Sequence, residues 1–189
     1  VKEMTACLLE RLGPTARTRG NFNNAIGLPL SLLGLEPGRH RFGVFELGSN
    51  HPGEIAALAA ALRPDWGIVT NVGPVHVEAF GDVAGVVREK RALLEALPRD
   101  GLAVLNRDTA GYAELAAAAP ARRRTASLGA WPADLVLEAA AAEGSGQRLR
   151  LREGRTIQAV RLSQPGRHHA MNAMLAALAA REGGLGWDA

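Results

Sequence analysis

The sequence predicts an α/β fold, a mostly parallel sheet flanked by helices, with a small antiparallel meander following it. Three observations carry this. Short apolar runs at 41–47, 67–70 and 102–105 alternate with helical patterns at 53–63, 83–97 and 109–119. Alternation at that spacing favours parallel strands covered by helices. Beyond residue 130 the pattern changes to short strands at 134–142, 147–152 and 155–162, joined at Glu143-Gly144-Ser145-Gly146 and Glu153-Gly154, where glycines suit tight hairpin turns.

Taken in order, residues 2–12 read as a helix that stops at Gly13-Pro14. Residues 13–24 read as a polar loop ending in Gly20-Asn21-Phe22-Asn23-Asn24. A second helix is expected over 25–35, with Pro29 tolerated in its first turn. The run 41–47 ends at Gly48 and reads as a buried strand, 53–63 as an Ala/Leu helix, and 67–70 as the next strand. A loop holding Gly73-Pro74 and Gly81 follows. Val83, Val86, Val87, Leu93, Leu94 and Leu97 keep helical spacing and give the helix at 83–97 an apolar stripe, closed by Pro98. The arginines at 122–124 are expected to open an exposed strand. A last helix, 168–182, follows Pro165-Gly166.

Composition narrows the function classes. With 189 residues, the chain suits one domain with a sizeable core. Aromatics are only 4%, so Ala, Leu and Val must fill that core. The net charge is +3, but the arginines are scattered and rarely interleaved with aromatics. This argues against a nucleic-acid surface, where stacking platforms accompany charge. A single cysteine, Cys7, excludes a disulfide framework and a thiolate metal site. There is no signal peptide and no membrane span, so a cytoplasmic protein is expected. The chain opens on Val1 inside a helical pattern and reads as a fragment.

Of the 22 basic residues only Lys2 and Lys90 are lysines. Lys90 falls within the apolar stripe of the helix at 83–97, while Arg88, Glu89, Arg91 and Glu95 take the other side. A core-facing lysine must pair, snorkel or lose its proton. One reading is a rim lysine that snorkels to water. The other is chemical, because a desolvated lysine becomes a neutral nucleophilic amine and arginine cannot. Glu46 ends an apolar strand, at the edge where parallel α/β sheets bind ligands. It is either an exposed strand-end glutamate or a hard oxygen ligand for Mg²⁺. His76 lies in the loop after the next strand, either solvated or a ligand at the same edge. No GxxxxGK[ST] loop is present, although the chain starts on a helix of the kind that follows one.

Four segments carry a resemblance. Val1-Lys2-Glu3-Met4-Thr5, Gly20-Asn21-Phe22-Asn23-Asn24-Ala25-Ile26-Gly27-Leu28-Pro29, the stretch Glu46 to Ile55 (ELGSNHPGEI) and the stretch Thr70 to Gly81 (TNVGPVHVEAFG) resemble the central ATP-binding domain of the Mur ligases. The match covers nearly the whole chain in order. The GNxNNxxGxP and ELGxNHxGEI segments are most similar to the member that joins D-alanyl-D-alanine to UDP-N-acetylmuramoyl-tripeptide.

The resemblance implies an ATP-dependent amide ligase of peptidoglycan synthesis that works through an acyl phosphate. The cofactors implied are ATP and Mg²⁺, with charge on the transferring phosphoryl group neutralised. Glu46 and His76 are similar to the family's metal-binding residues. Lys90 matches the lysine that reacts with CO₂ to give a carbamate metal ligand. Asn21, Asn23 and Asn24 resemble the substrate loop, or serve as turn residues. Asn50 and His51 are expected to face the amino-acid acceptor. Asn106, Arg167, His168 and Asn172 resemble nucleotide-binding positions, or cap and turn residues, and His169 stands where the family has Asn.

On this reading residues 1–189 are an incomplete central domain of P-loop mononucleotide-binding type, lacking the strand and Gly-rich loop ahead of Val1. The parallel α/β part spans 1–130, the meander 131–164 and the closing helix 165–189. The UDP-sugar domain and the carboxyl-terminal domain are absent. The intact enzyme is expected to be monomeric, with no nucleic-acid partner and no membrane span. Two alternatives stand beside it: another amide ligase of the same superfamily, and a non-catalytic, degenerate nucleotide-binding module.

Overall fold

A computed structural model describes residues 1–74, 77–120 and 122–188. Among them the strands form two sheets. β1 (Thr15–Arg17) and β2 (Phe42–Val44) make a parallel pair, Thr15 opposite Phe42 and Arg17 opposite Val44. β3 (Trp66–Val69), β4 (Leu102–Asn106), β5 (Arg122–Ser127), β6 (Leu135–Glu143), β7 (Gly146–Glu153) and β8 (Thr156–Leu162) follow in chain order in a six-stranded sheet. The α/β expectation holds. β3 to β6 run parallel, and β6, β7 and β8 antiparallel. The meander thus extends the parallel sheet. Leu135 and Val136 of β6 pair with Ala126 and Ser127 of β5, and the strand then pairs with β7.

The helices are α1 (Lys2–Leu9), α2 (Gly27–Leu32), α3 (Glu54–Leu62), α4 (Val77–Phe80), α5 (Val83–Glu95), α6 (Tyr112–Ala118) and α7 (Arg167–Glu182). β4 shows why both faces of the sheet are covered. Leu102 and Val104 point to one face, where Met171, Met174, Leu175 and Leu178 of α7 pack with Leu135, Leu137, Leu149 and Leu151. Ala103 and Leu105 point to the other, against Val86, Val87 and Leu94 of α5 and Leu115 of α6. The period of two in a strand sends alternate residues to the two cores. A smaller cluster of Leu9, Ala180 and Leu185 joins α1 to the end of α7.

Several boundaries differ from the sequence reading. β1 falls in the stretch read as a loop, because three residues of Thr-Ala-Arg show no periodicity. α4 falls in the loop after β3. The strand expected over 41–47 is regular only over Phe42–Val44, so Glu46 stands two residues beyond it. The strand opened by Arg122 starts exposed, at Arg122 and Arg123, but it lies between β4 and β6 and ends buried at Ala126 and Ser127. Arginines are tolerated there because Arg124 meets Glu153 at 2.5 Å, Glu182, and Asp134 at 4.0 Å. Glu153 also takes Arg181 at 2.9 Å and the Trp187 indole N–H at 2.9 Å, which ties α7 to β7. No described helix is long and apolar enough to cross a membrane.

Candidate functional site

A cleft of about 1330 Å³ runs between β2 and β3, flanked by α1, α3, α5 and α7. That exceeds the roughly 300–1,000 Å³ usual for a small-ligand pocket. The reason is topological. Phe42–Val44 and Trp66–Val69 both line the cleft, yet among the described residues β2 and β3 share no ladder. The two facing strand edges leave a slot as well as a pocket.

Several of the expected residues line this cleft. Glu46, Asn23, Asn24, Asn50, His51, Lys90 and Asn172 line it together with Val1, Lys2 and Thr5. The Asn23 side-chain amide donates to Glu46 Oε1 at 2.8 Å, and the Asn23 carbonyl accepts from Gly48 N–H at 2.8 Å. Buried Thr18 Oγ1 accepts the Glu46 N–H at 3.1 Å. Glu46 is thus held at both its backbone and its carboxylate. The glycines of the motifs follow from this crowding. A Cβ on Gly48 would stand 2.8 Å from the Asn23 amide, and one on Gly27 would stand 2.5 Å from the Phe22 backbone.

Lys90 sits half-buried on α5. Burial pulls its ammonium below the ordinary lysine range, and the charges of Glu89 and Glu46 pull it partly back. A lysine so placed yields its neutral amine more readily than one in water. The stripe reading needs one correction. Glu89, expected on the outer face, is 5% exposed and turned inward. Its carboxylate accepts Gly53 N–H and Ile55 N–H, each at 2.7 Å, at the start of α3. A helical wheel gives the face of a helix but not the unpaired amides of the neighbour it meets.

The remaining residues divide. Asn50 and His51 give their N–H groups to Glu54 at 2.6 and 3.1 Å, which holds the Glu54 carboxyl below the ordinary range and leaves both side chains exposed. Asn24 Oδ1 accepts from Ile26 and Gly27 N–H at 3.1 and 2.9 Å and so begins α2. Asn21 is exposed outside the cleft lining. Asn106 is buried, its side chain donating to Thr70 O at 2.9 Å and accepting from Asp108 N–H at 2.9 Å. Arg167 and His168 are exposed outside the cleft lining, the first donating to Leu128 O at 3.3 Å and the second beside His169, the rings 4.0 Å apart and tilted at 45°. His76 lies outside the described residues.

Sequence reasoning missed Lys2 and Thr18. The Lys2 ammonium donates to the carbonyls of Thr18 at 2.9 Å and Gly20 at 2.5 Å, which anchors the loop behind Glu46 to the first turn of α1. The rarity of lysine was the one signal for Lys2. Among the described residues no group of three His, Cys, Asp or Glu is placed to hold a metal ion. Glu46 brings one carboxylate to the cleft lining, and Lys90 brings an amine.

The family model of the Mur ligase middle domain matches residues 1–180. The UDP-N-acetylmuramoyl-tripeptide--D-alanyl-D-alanine ligase of Escherichia coli is 36% identical over 190 residues, covering 100% of this chain and 42% of that protein. Its counterpart in Mycobacterium bovis is 34% identical over 187 residues, covering 97% of this chain and 36% of the relative. The chain therefore spans less than half the length of these curated relatives. Among solved structures, MurF from Acinetobacter baumannii superposes with a TM-score of 0.89 at 31% identity, covering 97% of this chain and 40% of that one. MurF from Thermotoga maritima, solved in complex with ADP, shares the fold with a TM-score of 0.87 at 24% identity, over 98% of this chain and 43% of that one. With the family model matched over residues 1–180 and a whole-chain relative at 36% identity, this chain belongs to the Mur ligase middle-domain family.

Proposed function

We propose that this chain is the nucleotide- and metal-binding domain of an ATP-dependent ligase that joins D-alanyl-D-alanine to UDP-N-acetylmuramoyl-tripeptide in peptidoglycan synthesis, acting in the cytoplasm as a monomer. The observation that carries the reading is Lys90, half-buried with a lowered pKa and lining one cleft with Glu46. The resemblance to the D-alanyl-D-alanine-adding ligases, at 36% identity, supports the substrate choice.

The residues fit the chemistry. The neutral Lys90 amine attacks CO₂, forms an N–C bond and releases a proton, which gives a carbamate. That carbamate and Glu46 would hold Mg²⁺ through two hard anionic oxygens. His76 is assigned to a second metal on the family resemblance. When bound, Mg²⁺ supplies charge neutralisation for the phosphoryl group that passes from ATP to the substrate carboxylate. Asn23 and Thr18 hold Glu46 in one orientation. The first turn of α1 opens on the cleft without a side-chain cap, so its amides are available to phosphate. Asn50 and His51 stand exposed on the same cleft and are assigned to the amino-acid acceptor. Asn172 is assigned to the nucleotide from within the cleft, and Asn106, Arg167 and His168 from its margin.

Lys90→Arg in the ligase that carries this chain tests the reading. Arginine keeps the charge and cannot form the carbamate, so ligation is expected to fall at least about a hundredfold. Near-normal ligation would overturn the carbamate role. The 189 residues alone are expected to show no ligation, because the domains assigned to the two substrates lie elsewhere.

A further inference from the structure

Glu89 has no part in the ligand set above, yet it is 5% exposed and both of its oxygens are engaged. Its neighbour Lys90 lines the cleft, and its two partners, Gly53 N–H and Ile55 N–H, open α3 directly after the segment Glu46 to His51. Gly53 there has φ +88, in the left-handed region that favours glycine. The first amides of a helix need acceptors. Those of α3 find one on a helix more than thirty residues away in sequence, at 2.7 Å in each case.

The bridge has a geometric consequence. α5 carries Lys90, and the loop before α3 carries Glu46, Asn50 and His51. A bidentate contact fixes two points on α3 against one on α5, so it sets rotation as well as distance. Asn50 and His51 are tied to Glu54 within the same turn, so the loop moves with the start of α3.

We infer that Glu89 is a positioning residue, which holds Lys90 and Glu46 at the separation a divalent cation requires by clamping α5 to the amino end of α3. This rests on the metal-site reading above. A cap of merely structural value would stabilise α3 and leave metal affinity alone. A positioning residue must change affinity for the metal itself.

The test is a titration of the ligase with Mn²⁺ alone, followed by electron paramagnetic resonance, beside thermal melting of the same samples. Glu89→Gln keeps the side-chain volume and one acceptor, and places an N–H against a backbone N–H. Its Mn²⁺ affinity is expected to fall about tenfold or more, in the range seen when groups supporting metal ligands are removed. Glu89→Ala is expected to fall at least as far. Lys90→Ala run in parallel separates the two ideas. If Lys90→Ala binds Mn²⁺ as the parent does, the metal-site reading fails. If Lys90→Ala loses the ion while Glu89→Gln melts earlier but binds Mn²⁺ unchanged, Glu89 is a structural cap and only this inference is overturned. Should Glu89→Ala fail to fold, Glu89→Gln alone decides.

Discussion

All five residues of β4 are buried, whereas none of the three residues of β2 is. The contrast runs through both sheets. β4 has a hydrogen-bonded strand on either side and a helical layer on each face. β2 pairs on one edge only, and its other edge faces the cleft. The six-stranded part packs mostly aliphatic side chains, with Asn106, Ser127 and Gln147 buried among its strands. The two-stranded part keeps Glu46, Asn23 and Thr18 in a chain of hydrogen bonds and leaves a slot beside them. Stability and chemistry are therefore assigned to different ends of one parallel arrangement.

Substitutions that act on one region only test this division. The largest effect on stability is expected from Leu149→Ala on β7, fully buried between the sheet and α7. Such a truncation costs about 2–5 kcal/mol, read as a lowered denaturant midpoint, and should leave Mn²⁺ affinity unchanged in the surviving folded fraction. Lys90→Arg should do the reverse. A hundredfold loss of ligation corresponds to about 2.7 kcal/mol of transition-state stabilisation, with little change in the melting point, because among the described residues Lys90 makes no ion pair within 4.0 Å.

Thr18→Val falls between the two. It preserves shape but removes the acceptor of the Glu46 N–H. An unmatched amide there costs about 1–3 kcal/mol, and Mg²⁺ activation should weaken with it. Equal loss of stability with unchanged Mg²⁺ dependence would place Thr18 with the scaffold instead.

The smallest effect is expected from acid. Burial alone would raise the Glu153 pKa, but the Trp187 indole N–H and the Arg124 and Arg181 guanidinium groups lower it. A carboxyl depressed in the folded state contributes stability above its unfolded pKa, about 4.3, and that contribution is lost as pH falls through the folded value. Melting between pH 5 and 3 should therefore steepen through the scaffold, and Arg124→Met should flatten that dependence. A slope that Arg124→Met leaves unchanged would mean other carboxylates govern the acid response.

Periodic and punctuated features were legible in the sequence. The apolar runs announced β3 and β4, the glycines at 144, 146 and 154 announced the turns flanking β7, and the stripe on α5 marked Lys90 as out of place. Contacts made by neighbours of low sequence order were not legible. Glu89 looked solvent-facing because its partners are backbone amides of another helix, which carry no side-chain signature. β1 was silent because it is too short for a period of two to show. Arg124 was read as a surface residue because its three carboxylate partners come from β7, α7 and the segment before β6. At the site, Glu46 was identifiable from its position after an apolar run, but the way Asn23 and Thr18 hold it was not, since both lie more than twenty residues away.

The cluster of Leu9, Ala180 and Leu185 has a consequence for how the chain acquires its shape. α1 is synthesised early and its packing partner α7 late. β6, β7 and β8 need only adjacent hairpins to form, but the sheet face that α7 covers stays open until residues 167–182 have emerged. During synthesis the side of β4 that carries Leu102 and Val104, and the side of α1 that meets α7, therefore stay uncovered until α7 emerges. This is a high-contact-order route, in which closure is late and slow. A chaperone that shields apolar segments would find its longest window on this chain before α7 arrives, and pulse-labelled hydrogen exchange during refolding should show protection in the hairpins ahead of protection in α1.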